Sequence, residues 1–209
     1  MSQVKAVISD IGNVAVLVNE QLAIDEMANL AGVTAVQVKN AVFGDGTDQD
    51  AVFRRFMRGE FDDEEFRRLV GMRLDRGSPL PKEKFERAFC DIFAPNQPVL
   101  DLWLGLRQAG LTVTAVSNID ALRYRWLDRT GWLSVFDELV LSFEEGLLKP
   151  SEELMVRSLD RTGVAAEEAV FIDDKAKNLP PCGPLGIRAH RFAGFAGLRR
   201  FLRENGVAC

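Results

Sequence analysis

Asp10, Ser117, Asn118, Lys149, Asp173 and Asp174 are spread over most of the chain, yet each ends an apolar run or opens a loop. Asp10 closes Val4-Lys5-Ala6-Val7-Ile8-Ser9 and is followed by Ile11-Gly12-Asn13-Val14. A short β-branched run of this kind reads as a buried strand of a parallel sheet, and in open α/β sheets chemistry lies beyond the carboxyl ends of the strands. Gly12 is placed to permit a sharp backbone turn there. Asp10 is therefore a candidate nucleophile or metal ligand, although a strand-end Asp also serves as an ordinary turn former or helix cap. Ser117-Asn118 follows Leu111-Thr112-Val113-Thr114-Ala115-Val116, Lys149 precedes Pro150 in a loop, and Asp173-Asp174 follows Ala169-Val170-Phe171-Ile172. Each has a plain reading by itself: a helix cap for Ser117-Asn118, a solvated lysine for Lys149, a dipole-matched cap for Asp173-Asp174. Together they form a coherent inventory. One carboxylate can attack. Paired carboxylates can hold a hard divalent cation, Mg²⁺ being usual where a phosphate completes the shell. A hydroxyl, an amide and an ammonium are suited to a transferring phosphoryl group, which needs positioning and charge neutralisation above all.

The elements that must carry these residues follow from periodicity. Between the first strand and Pro95 the pattern is helical: Glu20 to Ala31, Val33 to Phe43 with Thr34 as cap, Asp48 to Arg58, a helix opened by Asp62-Asp63-Glu64-Glu65 with Phe66, Leu69 and Met72 on one face, and Lys82 to Phe93. Residues 15–94 thus read as an all-helical insert, leaving 1–14 and 95–209 as the core. Its phenylalanines read as helix–helix packing, and Arg54, Arg55, Arg67 and Arg68 as polar faces. Phe43-Gly44-Asp45-Gly46-Thr47 reads either as a connector or as a loop facing a substrate. After Pro95, strands and helices alternate, which predicts a doubly wound α/β fold with helices on both faces of a parallel sheet. A parallel sheet sends every strand end to one edge, so the six residues can share one cleft.

Composition narrows the functional classes. The 209 residues carry a net charge of -5, which argues against a nucleic-acid footprint but not against a small anionic substrate. No apolar run reaches the length of about 18 residues that a membrane span requires. No charged, apolar and cleavage regions follow one another at the start, and Cys90, Cys182 and Cys209 form no C-x-x-C pair, so a reducing cytoplasmic compartment is expected. With His190 the only histidine, any histidine-based mechanism must pass through that residue; it reads as a strand-end surface residue. Lys175 and Lys177 read as solvated surface. Oligomeric state is silent in the sequence.

Asp10-Ile11-Gly12-Asn13-Val14, Ser117-Asn118, Lys149-Pro150 and Phe171-Ile172-Asp173-Asp174 with Asn178 resemble, in order and spacing, the four motifs of the haloacid dehalogenase superfamily. The resemblance covers essentially the whole chain. It implies a Rossmann-like core, with the insert as its helical cap. The D-x-G-N-V form, with Arg58-Gly59-Glu60-Phe61 in the insert, looks most like the α-glucose-1-phosphate phosphatase branch. The resemblance further implies that Asp10 is a nucleophile forming an aspartyl-phosphate and that Ser117 and Asn118 bind phosphoryl oxygens. Lys149 would neutralise developing charge. Mg²⁺ would be held by Asp10, the Gly12 carbonyl, Asp174 directly, and Asp173 directly or through water. The expected substrate is a small phosphorylated metabolite, a sugar phosphate being one option.

One position departs from the family's phosphatases. They usually carry a second Asp two residues after the nucleophile as general acid and base; here Gly12 stands there, and losing such a group costs about 10²–10⁴ in rate. Three outcomes are open: a leaving group that needs little protonation, such as an aryl or anomeric one; another proton donor, with Asp120 or an insert carboxylate as candidates; or binding without turnover. Ser9, where Phe is common in the family, reads as a packing variation. Two alternatives to a phosphatase remain, a 2-haloacid dehalogenase using the same Asp and a non-catalytic phospholigand-binding protein.

Overall fold

The computed structural model describes residues 3–44, 51–74 and 79–209. β1 (Ala6–Ser9) lies at the centre of the main sheet with all four residues buried. In chain order there follow β2 (Val16–Val18), α1 (Glu20–Ala31), α2 (Ala35–Val38), α3 (Val52–Met57), α4 (Asp63–Arg73), α5 (Lys82–Cys90), β3 (Phe93–Pro95) and α6 (Gln97–Gln108). Then come β4 (Thr112–Ser117), α7 (Ala121–Asp128), β5 (Glu138–Leu141), α8 (Ser142–Glu145), α9 (Glu152–Thr162), β6 (Ala169–Asp173), α10 (Cys182–Leu185), β7 (Arg188–Arg191) and α11 (Phe195–Glu204). The main sheet has the order β5-β4-β1-β6-β7, every neighbouring pair parallel. No helix among the described residues is long and apolar enough to cross a membrane.

Strand alternation sorts the side chains onto two faces. Val7, Val113, Ala115, Val170 and Ile172 pack against α6 and α11 through Trp103, Leu106, Leu198 and Leu202. Ala6, Ile8, Val116, Val140 and Phe171 pack on the opposite side against Leu154 and Met155 of α9 and Cys182 of α10. Both faces are covered, so the sheet is doubly wound, and the ends of β1, β4 and β6 emerge together at one edge.

The segment inserted after β1 has its own core, built on Phe53, Phe56, Phe66, Phe85 and Phe89. Phe56 stacks on Phe66 at 4.1 Å between ring centroids, and Phe85 on Phe89 at 5.7 Å. The phenylalanine faces are therefore helix–helix packing, as periodicity predicts. Local chemistry sets the helix starts: Thr34 and Gln37 form a capping box before α2, and Asp62 accepts from the Glu65 N–H at the head of α4.

Several details differ from expectation. The insert is not helical throughout, because β2 and β3 pair antiparallel at its two ends, Val16 opposite Pro95 and Val18 opposite Phe93. Each strand has only three residues, too short for a period to show. In α4, Val70 is buried and Met72 is 58% exposed, so the apolar face runs through Phe66 and Val70. The helix ending near the insert's exit stops at Cys90, and a short helix, α8, occupies part of the loop expected before Lys149. Asp45 to Asp50 lie outside the described residues, and with them most of the Phe43–Thr47 loop and the start of the helix expected from Asp48; the Phe43 ring itself packs edge-on against Phe53 at 5.0 Å.

Gly59 shows how tightly insert and core meet. Its φ is +70°, and a Cβ there would lie 2.2 Å from the Phe143 carbonyl oxygen. The flanking Arg55 and Arg58 both bond Glu60, at 2.6 and 2.7 Å, which locks the turn. Nearby, the Ser142 hydroxyl donates to the Met57 carbonyl at 2.7 Å. Gly59→Ala is expected to lose roughly 2 kcal/mol or more, from left-handed strain together with the collision. The midpoint of urea unfolding measures this; an unchanged midpoint would contradict the close approach.

Candidate active site

Asp10 lies one residue beyond β1. Its N–H donates to the Ile172 carbonyl at 2.8 Å, extending the β1–β6 ladder by one step and bringing Asp10 beside the end of β6. The Ser9 hydroxyl, buried behind it, donates to the Asp10 carbonyl at 2.7 Å, so Ser9 ties the backbone as well as packing. Asp10 Oδ1 accepts from the Ile11 N–H at 2.7 Å, and Oδ2 is 2.9 Å from Lys149 Nζ. Lys149 is only 2% exposed, and its Nζ also donates to Asp173 Oδ2 at 2.7 Å and to the Val116 carbonyl at 2.9 Å. Three acceptors use all three ammonium protons. Asp173 is fully buried, its Oδ1 accepting from the Lys175 N–H and from Asn178 Nδ2, each at 2.8 Å.

Burial pushes the Asp10 pKa above the ordinary carboxylate value; Lys149 opposes the shift and Asp173 adds to it. Burial also works against the charge on Lys149, but the Asp10 and Asp173 carboxylates outweigh it and hold the lysine pKa above its usual value. Asp174 completes the acidic group. Its Oδ1 is buried with no hydrogen-bond partner, and its Oδ2 is 3.5 Å from Asn13 Nδ2. One oxygen from each of Asp10, Asp173 and Asp174 lies within 4.8 Å of the others. An all-oxygen set with an orphaned buried carboxylate oxygen suits a hard cation, and a divalent ion would relieve an excess of carboxylate that one ammonium does not balance.

A cavity of about 260 Å³ opens onto Asp10 and Lys149, with Asp173 and Asp174 set behind its lining. Asp10, Gly12, Ser117, Asn118 and Lys149 all line it, so the structure gathers these five sequence-predicted residues around one space. The Ser117 hydroxyl has no hydrogen-bond partner among the described residues. Asn118, also on the cavity wall, has a structural task besides. Its side-chain oxygen accepts from the Lys149 N–H at 2.7 Å and its nitrogen donates to the Lys149 carbonyl at 3.2 Å, so the side chain clamps the lysine loop. Gly12 also needs a correction: its φ is not positive and a Cβ there would make only ordinary contact, 3.5 Å from Val18. The left-handed residue of this turn is Asn13, φ 56°, a type that tolerates that region. Asn13 Oδ1 then accepts from the Val18 N–H at 3.1 Å, fastening β2 to the site.

A family model described as haloacid dehalogenase-like hydrolase matches residues 4–183. The chain belongs to the haloacid dehalogenase-like hydrolases. Within this hydrolase family, it is similar to glyceraldehyde 3-phosphate phosphatase of Methanopyrus kandleri, 33% identical over 82 residues, a match spanning 39% of this chain and only 35% of that relative's length. It is also similar to D-ribitol-5-phosphate phosphatase of Bacteroides thetaiotaomicron, 25% identical over 184 residues, 84% of this chain and 85% of that one. The fold matches that of a haloacid dehalogenase family enzyme from Bacteroides thetaiotaomicron solved with magnesium and inorganic phosphate, TM-score 0.76 at 21% identity, covering 92% of this chain and 96% of that chain.

Several further side chains line this hydrolase's cavity, among them Asp120, one of the candidate proton donors. Arg54, expected on a polar helix face, lines the cavity instead, because α3 turns that face toward the sheet edge. Lys175 and Lys177 are exposed yet also line it. Arg123, from α7 of the core, reaches in among the insert's rings. It is 5% exposed, its guanidinium lying 4.0 Å from the Phe89 ring centroid and 4.8 Å from that of Phe53. An arginine two positions past the start of a helix carries no sequence signal for such burial. His190 is remote from the cavity: it lies on β7, half-buried and stacked on Phe201 at 4.7 Å, which removes histidine chemistry from the site.

Proposed function

We propose that this hydrolase is a Mg²⁺-dependent phosphomonoester phosphatase working through an aspartyl-phosphate on Asp10, with residues 15–94 as a cap over the site. The observation that carries the reading is the cluster of Asp10, Asp173 and Asp174 oxygens within 4.8 Å of one another, with only Asp10 and Asp173 bonded to the one saturated ammonium. Dehalogenation by a carboxylate needs no metal, and three mutually repelling carboxylates are costly without one. The relatives named as phosphatases of glyceraldehyde 3-phosphate and D-ribitol 5-phosphate support the same direction.

Asp10 would be the attacking group, its carboxylate oxygen forming a bond to phosphorus as the bond to the leaving oxygen breaks; water then cleaves the acyl phosphate and restores Asp10. Lys149, held by Asp10, Asp173 and Val116, supplies fixed positive charge where the nucleophile and phosphoryl group meet. The Ser117 hydroxyl is available to a phosphoryl oxygen, while the Asn118 side chain positions the Lys149 loop. Mg²⁺ would be held by Asp10, Asp174, Asp173 directly or through water, and the Gly12 carbonyl, and would offset phosphoryl charge and orient the phosphate. Gly12 has no proton to give a leaving group, so aryl phosphates should turn over faster than simple alkyl ones.

The test is p-nitrophenyl phosphate hydrolysis with Mg²⁺ and with excess EDTA, beside chloride release from 2-chloropropionate. Phosphate release that is lost in EDTA and restored by Mg²⁺, without chloride release, is expected. Activity indifferent to EDTA would contradict the reading.

A further inference from the structure

Asp120 and Arg123 each keep one side-chain atom buried without a hydrogen-bond partner, Asp120 Oδ2 and Arg123 Nη2. Both residues line the same cavity as Asp10. Neither is loosely held. Asp120 is fully buried, and its Oδ1 caps α7 by accepting from the Arg123 N–H at 2.8 Å. Arg123 Nε donates to the Phe89 carbonyl at 3.2 Å, and three phenylalanine rings surround the guanidinium. Buried polar groups are almost always bonded, and leaving them unpaired is unfavourable. An orphaned acceptor and an orphaned donor, fixed three residues apart on one helix, therefore point to a ligand.

We propose that Asp120 and Arg123 form a subsite that reads hydroxyl groups of the leaving group, so that the substrate is the monophosphate of a small polyol or sugar. The proposal rests on the phosphatase reading and adds the substrate class. A hydroxyl donates to a carboxylate and accepts from a guanidinium, so neighbouring hydroxyls satisfy both orphans. A second anionic group would satisfy Arg123 only. It would also meet a guanidinium whose charge is already offset, because Glu20 lies 3.9 Å from Nη1 and Asp120 belongs to the same subsite. An unadorned alkyl chain would leave both atoms unpaired.

The test compares kcat/KM, with Mg²⁺ present, for three esters of matched length: ribitol 5-phosphate, n-pentyl phosphate and the phosphate ester of 5-hydroxypentanoic acid. The polyol ester is expected to exceed the alkyl ester by about 100-fold or more, since sites built to bond hydroxyls discriminate strongly against analogues lacking them. The carboxylate ester should gain nothing over the alkyl one. Asp120→Asn, which keeps the helix cap, and Arg123→Met, which keeps an apolar side chain among the rings, should each lower the polyol-to-alkyl ratio by about 10-fold or more. Equal kcat/KM for polyol and alkyl esters in the unaltered protein, which needs no variant to fold, would overturn the proposal. A preference for the carboxylate ester, or folded variants that retain the ratio, would overturn it too. Turnover of p-nitrophenyl phosphate without hydroxyl preference defeats this proposal alone; no turnover of any phosphate ester defeats the phosphatase reading and this proposal with it.

Discussion

Asp10→Asn is expected to abolish phosphate release while leaving the protein folded. The amide is isosteric with the carboxylate, and its oxygen can keep the 2.7 Å bond from the Ile11 N–H. Lys149 retains Asp173 and the Val116 carbonyl as partners, so no buried charge is stranded. An amide oxygen is a poor nucleophile and gives no acyl phosphate, so the loss should reach at least about 10⁴-fold, the scale on which removal of a nucleophile is felt. Steady-state assays with p-nitrophenyl phosphate, beside circular dichroism and a melting curve, check both halves. A folded variant with a tenth of normal activity would mean that Asp10 is not the attacking group.

Lys149→Met should cost both activity and stability. The ammonium lies between Asp10 Oδ2 at 2.9 Å and Asp173 Oδ2 at 2.7 Å, and all three residues are buried. Removing one partner of a buried ion pair strands the other charge, at a cost of about 3–5 kcal/mol. The deficit should also depend on pH. Burial already raises the Asp10 pKa, and Lys149 is the largest influence opposing it. Without the lysine the folded-state value rises further above the unfolded one. The folded state then binds the proton more tightly, so stability is greatest below the unfolded carboxylate pKa, about 4, and falls as pH rises through the folded value. Denaturant unfolding of both proteins at pH 4 and pH 7.5 should show the smaller difference at pH 4. A deficit that shrinks toward neutral pH would contradict the assigned pairing.

The parts of this site that were legible in the sequence are those whose position follows from strand order. Asp10 follows β1 directly, Ser117 and Asp173 end β4 and β6, and neighbouring parallel strands necessarily bring them together. Lys149 was legible by its place before Pro150 among family motifs, but its threefold bonding was not, since it depends on where loop backbone passes. Arg54 and Arg123 were illegible for a different reason. Helical spacing tells which residues share a face, not what that face meets, and both arginines meet the cavity because the insert folds back over the sheet edge. Gly12 is the expected turn residue because glycine is the default for a left-handed turn, whereas here Asn13 fills it and also bonds Val18. β2 and β3 leave no signal in the sequence, because a three-residue ribbon has no periodicity and is stabilised by what it connects.

If Asp10 attacks phosphorus while a metal ion sits against the acidic cluster, an acyl phosphate must form on that residue during turnover. Acid quenching of the protein during turnover of p-nitrophenyl phosphate with Mg²⁺, followed by mass spectrometry of the peptide containing Asp10, tests this most directly. A phosphoryl group carried on Asp10, absent when EDTA replaces Mg²⁺, is the predicted result. Sustained turnover with that peptide always unmodified, or with the phosphoryl group on another residue, would contradict it.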